Sequence, residues 1–197
     1  GKVTQQAGRV GLGYLLNDHG MVKGEATLAN IPASDRGPDR VWYGSAAAAE
    51  FHDMDWLQAH LDPTEDLQIK SLTNDQTILV LAGPNARAVL STCSREDWSP
   101  SAFPWLSLRE CFVGFAPATV LGVSFSGELA YEIHVPNNAL YAAYTALREA
   151  GKAFGLQLFG ARAVDSMRIE KGFLHWKADL LTEFDPFETG LDRFVDM

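Results

Sequence analysis

The segment FSGELAYE, from Phe125 to Glu132, places Ser126 and Gly127 ahead of Glu128, then sets Tyr131 and Glu132 at the head of the strand-like run EIHVP. A glycine turn feeding a strand holds one carboxylate inward and the other outward, because successive side chains point to opposite faces. The inward carboxylate then needs a hydrogen-bonding partner. A solvated hairpin with two surface glutamates fits the same residues, since glutamate is rarely buried unpaired. RIEKG, from Arg168 to Gly172, poses a similar choice. Arg168 lies one helical turn from Val164, with Met167 on the apolar side, so its guanidinium can enter the interior and meet an anion or a carbonyl. A snorkelling surface arginine is the alternative. The five histidines are scattered at 19, 52, 60, 134 and 175. Only His52 and His60 fall near one face of one helix, and two turns separate them, too far to share a metal ion. GxGxxG, P-loop, GxSxG and HExxH patterns are missing, which argues against a nucleotide enzyme or serine hydrolase of a familiar kind.

The elements that must position these groups follow from periodicity. Gly8 to Leu16, the turn NDHG, and Met21 to Ala29 read as a β-hairpin. Alternation puts Val22, Gly24, Ala26 and Leu28 on one face of its second strand, and Lys23, Glu25, Thr27 and Ala29 on the other. A loop from Pro32 to Arg40 leads to a short strand, Val41 to Gly44. Ser45 is placed to cap a helix from Ala46 to Leu61, with Ala47, Phe51, Met54, Leu57 and Leu61 as its core face. Further strands are expected at Leu67 to Ser71, Thr77 to Ala82, Cys111 to Phe115, Ala118 to Val123 and Ala130 to Val135. GPNARAVL suits a strand-to-helix turn. Asn138 is placed to cap a helix over Ala139 to Ala150 with Gly151 as its C-cap, and Gly172 ends another over Ala161 to Lys171. This irregular alternation indicates an α+β fold. No linker marks an internal boundary within 1–197.

With 197 residues, 47% of them hydrophobic, the chain can bury a substantial core. Its net charge of -9 disfavours a nucleic-acid partner, because that affinity rests on Lys and Arg neutralising phosphates. No apolar run reaches the roughly 20 residues of a membrane helix, and Gly1 to Arg9 lacks a signal-like stretch, so no membrane partner is expected. Cys93 and Cys111 have no histidine pair nearby and behave as small apolar residues, consistent with a reducing compartment.

VSFSGELAYEIHVP (Val123 to Pro136) resembles the signature of the glycine cleavage T-protein, or aminomethyltransferase, family. MVKGEATLANI, LAGPNARAVL, SMRIEKGF and TEFDPFETGLDRFV follow the order and approximate spacing of that family. Single motifs of this kind are weak, and their collinearity across nearly the whole chain makes the resemblance specific. GSAAAAEFHDMDWLQAHL and GFLHWKADLLTEFDPFETGL look more like the folate domain fused behind the FAD-binding oxidoreductase of dimethylglycine, sarcosine and related methylamine enzymes.

The resemblance implies a cloverleaf of small domains around a folate channel, built with split β-α-β elements. It also implies that the chain is a fragment, since family members start earlier and continue beyond Met197 into a small β-barrel. The implied activity is capture of an iminium-derived one-carbon unit as 5,10-methylenetetrahydrofolate, after a flavin-bearing domain has oxidised the methylated amine. FAD would sit only in such a fused or associated domain, as no flavin fingerprint occurs here. The implied location is the cytoplasm, or the mitochondrial matrix in a eukaryote.

By the same resemblance, Glu25 occupies the position of the family's catalytic aspartate. There it orients the folate amine and takes up the proton released when nitrogen attacks the iminium carbon. Its extra methylene shifts the oxygens by about 1 Å. Thr27, on the same face, matches the family's hydroxyl contact to folate, and Glu132 matches the glutamate that grips the N–H edge of the pterin. Phe125 replaces the usual tyrosine, keeping its stacking surface and losing its hydroxyl. Arg168 is carried over as a folate-contacting residue, although the arginine usual four residues earlier is Val164. A free aminomethyltransferase or folate-dependent demethylase is the second reading. A noncatalytic folate-binding or scaffold protein is the third, and binding of tetrahydrofolate without methylene product selects it.

Overall fold

Asn17 turns the chain between the first two strands, its Oδ1 accepting the N–H groups of His19 and Met21, each at 3.0 Å. Gly20 supplies the left-handed conformation that closes the loop, with φ at 78°. In the computed structural model, which describes residues 6–35 and 37–195, the hairpin comprises β1 (Val10–Leu16) and β2 (Val22–Ile31). Of the stretch from Gly1 to Arg9, residues 1–5 lie outside the described residues. The register shifts by one residue between Leu15 and Leu16, which sets Tyr14 opposite Glu25. β3 (Arg40–Gly44) pairs only with the Thr27–Ile31 half of β2, giving the order β1-β2-β3. The rest of that edge takes its partners from far along the chain. Val22 N–H donates to the Phe184 carbonyl at 2.9 Å, and the Trp176 indole N–H donates to the Lys23 carbonyl at 3.1 Å. Residues 1–74 and 175–197 therefore make one compact unit.

The helix of this unit departs from the periodicity argument. A 3₁₀ turn at Ala47–Ala49 precedes α1 (Glu50–Ala59), and Ser45 caps neither. The expected apolar stripe is only partly covered: Met54, Leu57 and Leu61 are half-buried, Ala47 is exposed and Phe51 is 82% exposed, while Ala49 and Asp53 are buried. Asp53 turns inward because its carboxylate is bonded there: it accepts the Tyr43 hydroxyl at 3.1 Å, and Gly24 leaves it room. The run Leu67 to Ser71 takes no strand pairing.

The second unit is 75–174. It contains β4 (Gln76–Ala82), α2 (Ala86–Cys93), β5 (Leu108–Val113), β6 (Ala116–Leu121), β7 (Ala130–Pro136), α3 (Leu140–Gly151) and α4 (Ala161–Lys171). The strands form an antiparallel sheet ordered β4-β7-β6-β5. Leu81, Val120, Ile133 and Val135 pack with Val89 and Leu90 of α2 and Ala143 and Leu147 of α3. Each of these valine, leucine and isoleucine side chains contributes roughly 1.5–3 kcal/mol on burial. Asn138 does not cap α3, which is entered through a 3₁₀ turn at Asn137–Ala139. Gly151 is the last residue of α3 rather than its cap. It is small because a Cβ there would lie 2.5 Å from Leu156 Cβ, and the left-handed residue is Gly155, with φ at 71°. Among the described residues, two antiparallel sheets with flanking helices give the expected α+β fold and no closed barrel.

The β5–β6 hairpin turns through Gly114 and Phe115, with Gly114 at φ 60° in the first central position. A Cβ at Gly114 would also come 2.8 Å from Ala146 Cβ of α3. Gly114→Ala is expected to destabilise the protein by about 1–3 kcal/mol, through backbone strain and that clash. Urea unfolding followed by circular dichroism checks it, and an unchanged midpoint would refute the strain.

Candidate functional site

On β2, Glu25 and Thr27 are two residues apart and share a face. Glu25 Oε2 is sealed from solvent and has no hydrogen-bond partner. Burial raises the Glu25 carboxyl from an ordinary 4.5 to about 7, because the charged form is poorly solvated there. Its cross-strand neighbour Tyr14 is pushed above the ordinary phenol range, first by burial and then by the Glu25 carboxylate, with Arg193 opposing. Phe194 meets the Tyr14 ring edge-on at 5.1 Å, and the Arg193 guanidinium lies 4.9 Å from the Phe194 ring. Glu25 thus stands beside a phenol that keeps its proton at neutral pH. A carboxyl poised near 7 can accept or release a proton there, which is what a general base requires.

On β7, neighbouring side chains divide between the faces of the sheet. Tyr131 points into the helix-covered core and is 2% exposed. Glu132 stands on the opposite face, in register with Val80 and Leu121. His134 shares that face, and its Nε2 lies 3.2 Å from Glu132 Oε2. His134 is nearly buried, at 4% side-chain exposure against 30% for Glu132, so a fixed ring orients the carboxylate. One carboxylate of the FSGELAYE segment is therefore held and the other, Glu128, is exposed.

The turn before β7 is organised by its own hydroxyls. Gly127, at φ 82°, donates its N–H to Ser124 Oγ at 2.9 Å, and Ser126 is buried. A Cβ at Gly127 would lie 2.7 Å from Lys171 Cγ, which puts the end of α4 against the turn that follows half-buried Phe125. Arg168 of α4 enters the interior at 6% exposure. Its Nε donates to Asp165 Oδ1 at 2.7 Å and its Nη1 to the Phe173 carbonyl at 3.0 Å. The guanidinium thereby ties the end of α4 to the chain after left-handed Gly172.

The sequence-derived residues accordingly fall into two groups, Glu25 and Thr27 in the first unit and Phe125, Glu132 and Arg168 in the second. Sequence reasoning missed Tyr14, Arg193 and His134. His134 carries a readable signal, since it lies two residues from Glu132 on one strand and so on the same face.

The whole chain, residues 1–197, matches the family described as the GCVT N-terminal domain. It is 30% identical over 196 residues to the mitochondrial dimethylglycine dehydrogenase of Homo sapiens, covering 99% of this chain and 22% of the relative. It is also 30% identical over 186 residues to the mitochondrial sarcosine dehydrogenase of the same organism, covering 90% of this chain and 20% of that protein. The chain thus spans about a fifth of the length of these curated relatives. The fold is similar to that of the glycine cleavage system aminomethyltransferase T from Bartonella henselae. That match has a TM-score of 0.79 and 21% identity, over 97% of this chain and 48% of the other. Profile, relatives and fold agree: the chain belongs to the GCVT N-terminal domain family, as an aminomethyltransferase-type domain related to those of dimethylglycine and sarcosine dehydrogenases.

Proposed function

We propose that this chain binds tetrahydrofolate and transfers to it an iminium-derived one-carbon unit, as the folate part of a dimethylglycine- or sarcosine-type oxidoreductase. The observation that carries this reading is the Glu25 carboxyl, with one oxygen buried and unbonded and its pKa near 7. A buried polar oxygen without a partner is expensive in a finished core and suits a site completed by a ligand N–H. Glu132 fits as well, since a carboxylate is the acceptor pair that a pterin N–H edge requires.

Tetrahydrofolate, when bound, supplies the amine nitrogens that receive the one-carbon unit as a methylene bridge. Glu25 would orient the attacking amine, take one of the two protons that the folate nitrogens lose, and return it to the departing amine, while the second proton leaves to solvent and carries off the positive charge that the iminium brought. Thr27 offers a hydroxyl on the same strand face. Phe125 gives a stacking surface without a hydroxyl, and Arg168 holds the end of α4 beside it. Oxidation of the amine belongs to a fused or associated FAD-bearing part.

Glu132→Gln tests the binding half of this reading. Exchanging one acceptor oxygen for an N–H₂ donor sets donor against donor at the pterin edge, and tetrahydrofolate affinity is expected to fall by about 10- to 100-fold. Isothermal titration calorimetry under anaerobic conditions measures it. Affinity equal to wild type would remove Glu132 from the site.

A further inference from the structure

Within the first unit, the start of β2, His52 of α1 and the turn Trp176–Thr182 line a half-open hollow of about 390 Å³. That volume lies in the range of small-molecule sites, roughly 300–1,000 Å³. Its floor is fixed: Trp176 is buried and bonded through its indole to the Lys23 carbonyl, and Leu180 is fully buried. Its lining includes two lysines, Lys23 and Lys177, beside His52 and Thr182. Lys23 Nζ lies 4.1 Å from the Trp56 ring centroid, and Lys177 Nζ lies 4.7 Å from that of Trp176. Among the described residues neither ammonium forms an ion pair, in a chain whose net charge is -9.

Two further features indicate a built site. Lys177 adopts a φ of 66°, a left-handed conformation in which its Cβ crowds the backbone, and the turn is locked by its N–H to the Leu180 carbonyl at 2.9 Å. Strain of this kind collects at ligand clamps. His52 Nδ1 is 2.9 Å from Asp53 Oδ1, a buried carboxylate that also accepts the Tyr43 hydroxyl. That bond fixes the imidazole and leaves Nε2 as its remaining polar atom.

We propose that this hollow is a ligand site for a small aromatic carboxylate, with the anion between the Lys23 and Lys177 ammonium groups and the ring against Trp176 and the exposed Leu181. Unneutralised cations above an apolar floor attract an anion with an apolar body, and the low-polarity walls strengthen the attraction. They disfavour inorganic phosphate, whose second charge and remaining oxygens would go unsolvated. The proposal does not rest on the folate reading, although Lys23 lies two residues from Glu25 on β2, and its test needs no turnover.

Benzoate is the probe, and the indole N–H signal of Trp176 in two-dimensional NMR is the readout. A saturable shift with Kd below about 5 mM is expected. Lys177→Gly, which also relieves the left-handed strain, and Lys23→Met, which keeps an unbranched apolar side chain beside Trp56, should each weaken binding by about tenfold. Both variants should keep the wild-type spectrum elsewhere. Neutral benzamide should shift the signal at least about tenfold more weakly. Absence of a saturable shift, equal binding of benzamide or phosphate, or unchanged affinity in both variants would overturn the proposal. So would displacement of benzoate by tetrahydrofolate, which would make the hollow part of the folate site; undiminished binding with tetrahydrofolate present supports a separate one.

Discussion

With Glu25 changed to glutamine, formation of 5,10-methylenetetrahydrofolate is expected to drop by about 10²- to 10⁴-fold, the usual contribution of a positioned general base. Tetrahydrofolate affinity should change by less than about tenfold, because glutamine preserves the shape of the side chain. The assay supplies iminium from a separate amine-oxidising flavoenzyme and measures the methylene product by chromatography. Amine oxidation by that enzyme is the internal control and should not move. The size of the effect follows from the carboxyl's setting: burial puts its pKa near 7, where it can both take and return a proton, and an amide can do neither. Glu25→Asp separates charge from position. It restores an acid and withdraws the oxygens by about 1 Å, so it should recover part of the rate. Full product formation by Glu25→Gln would exclude Glu25 from proton transfer.

Much of this was legible in residues. Alternation along MVKGEATLA places Glu25 and Thr27 on one face, and the glycine turn of FSGE feeding a strand separates a held carboxylate from an outward one, because a period of two survives tertiary context. Helix α4 and its Gly172 terminus also matched, since the left-handed cap is a strictly local signal. The partner of Glu25 was not legible. Had pairing continued without a shift from Leu16 opposite Val22, Gly13 would face Glu25; the one-residue irregularity brings Tyr14 there instead. Nothing in the loop NDHG announces that shift. The Ala-rich helix misled for a related reason. Periodicity counts Phe51 as core, whereas a hydrogen-bonded aspartate beside a glycine decides which side of α1 is buried. The chain's division was hidden too, because the first unit is completed by residues 175–197, and the hydrogen bonds that do so reach across more than half the sequence.

The same Glu25→Gln change should make the protein more stable at pH 8. A carboxyl whose folded pKa is raised binds its proton more tightly folded than unfolded, so its favourable contribution is complete below about 4.5 and is lost as pH rises through about 7. Above that point the wild type holds an ionised carboxylate with one oxygen buried and unbonded, while the glutamine variant holds a neutral amide. A carboxyl moved from 4.5 to about 7 accounts for at most about 3 kcal/mol. The variant should therefore melt several degrees above wild type at pH 8, at about 2–4 °C per kcal/mol for a chain of this size. The gap should narrow through pH 6 and close near pH 4. Melting curves in ligand-free protein across that range check the sign as well as the size. A variant less stable than wild type at pH 8 would mean that the carboxylate is paired in the folded protein, and the ligand-seeking oxygen on β2 would lose its physical basis.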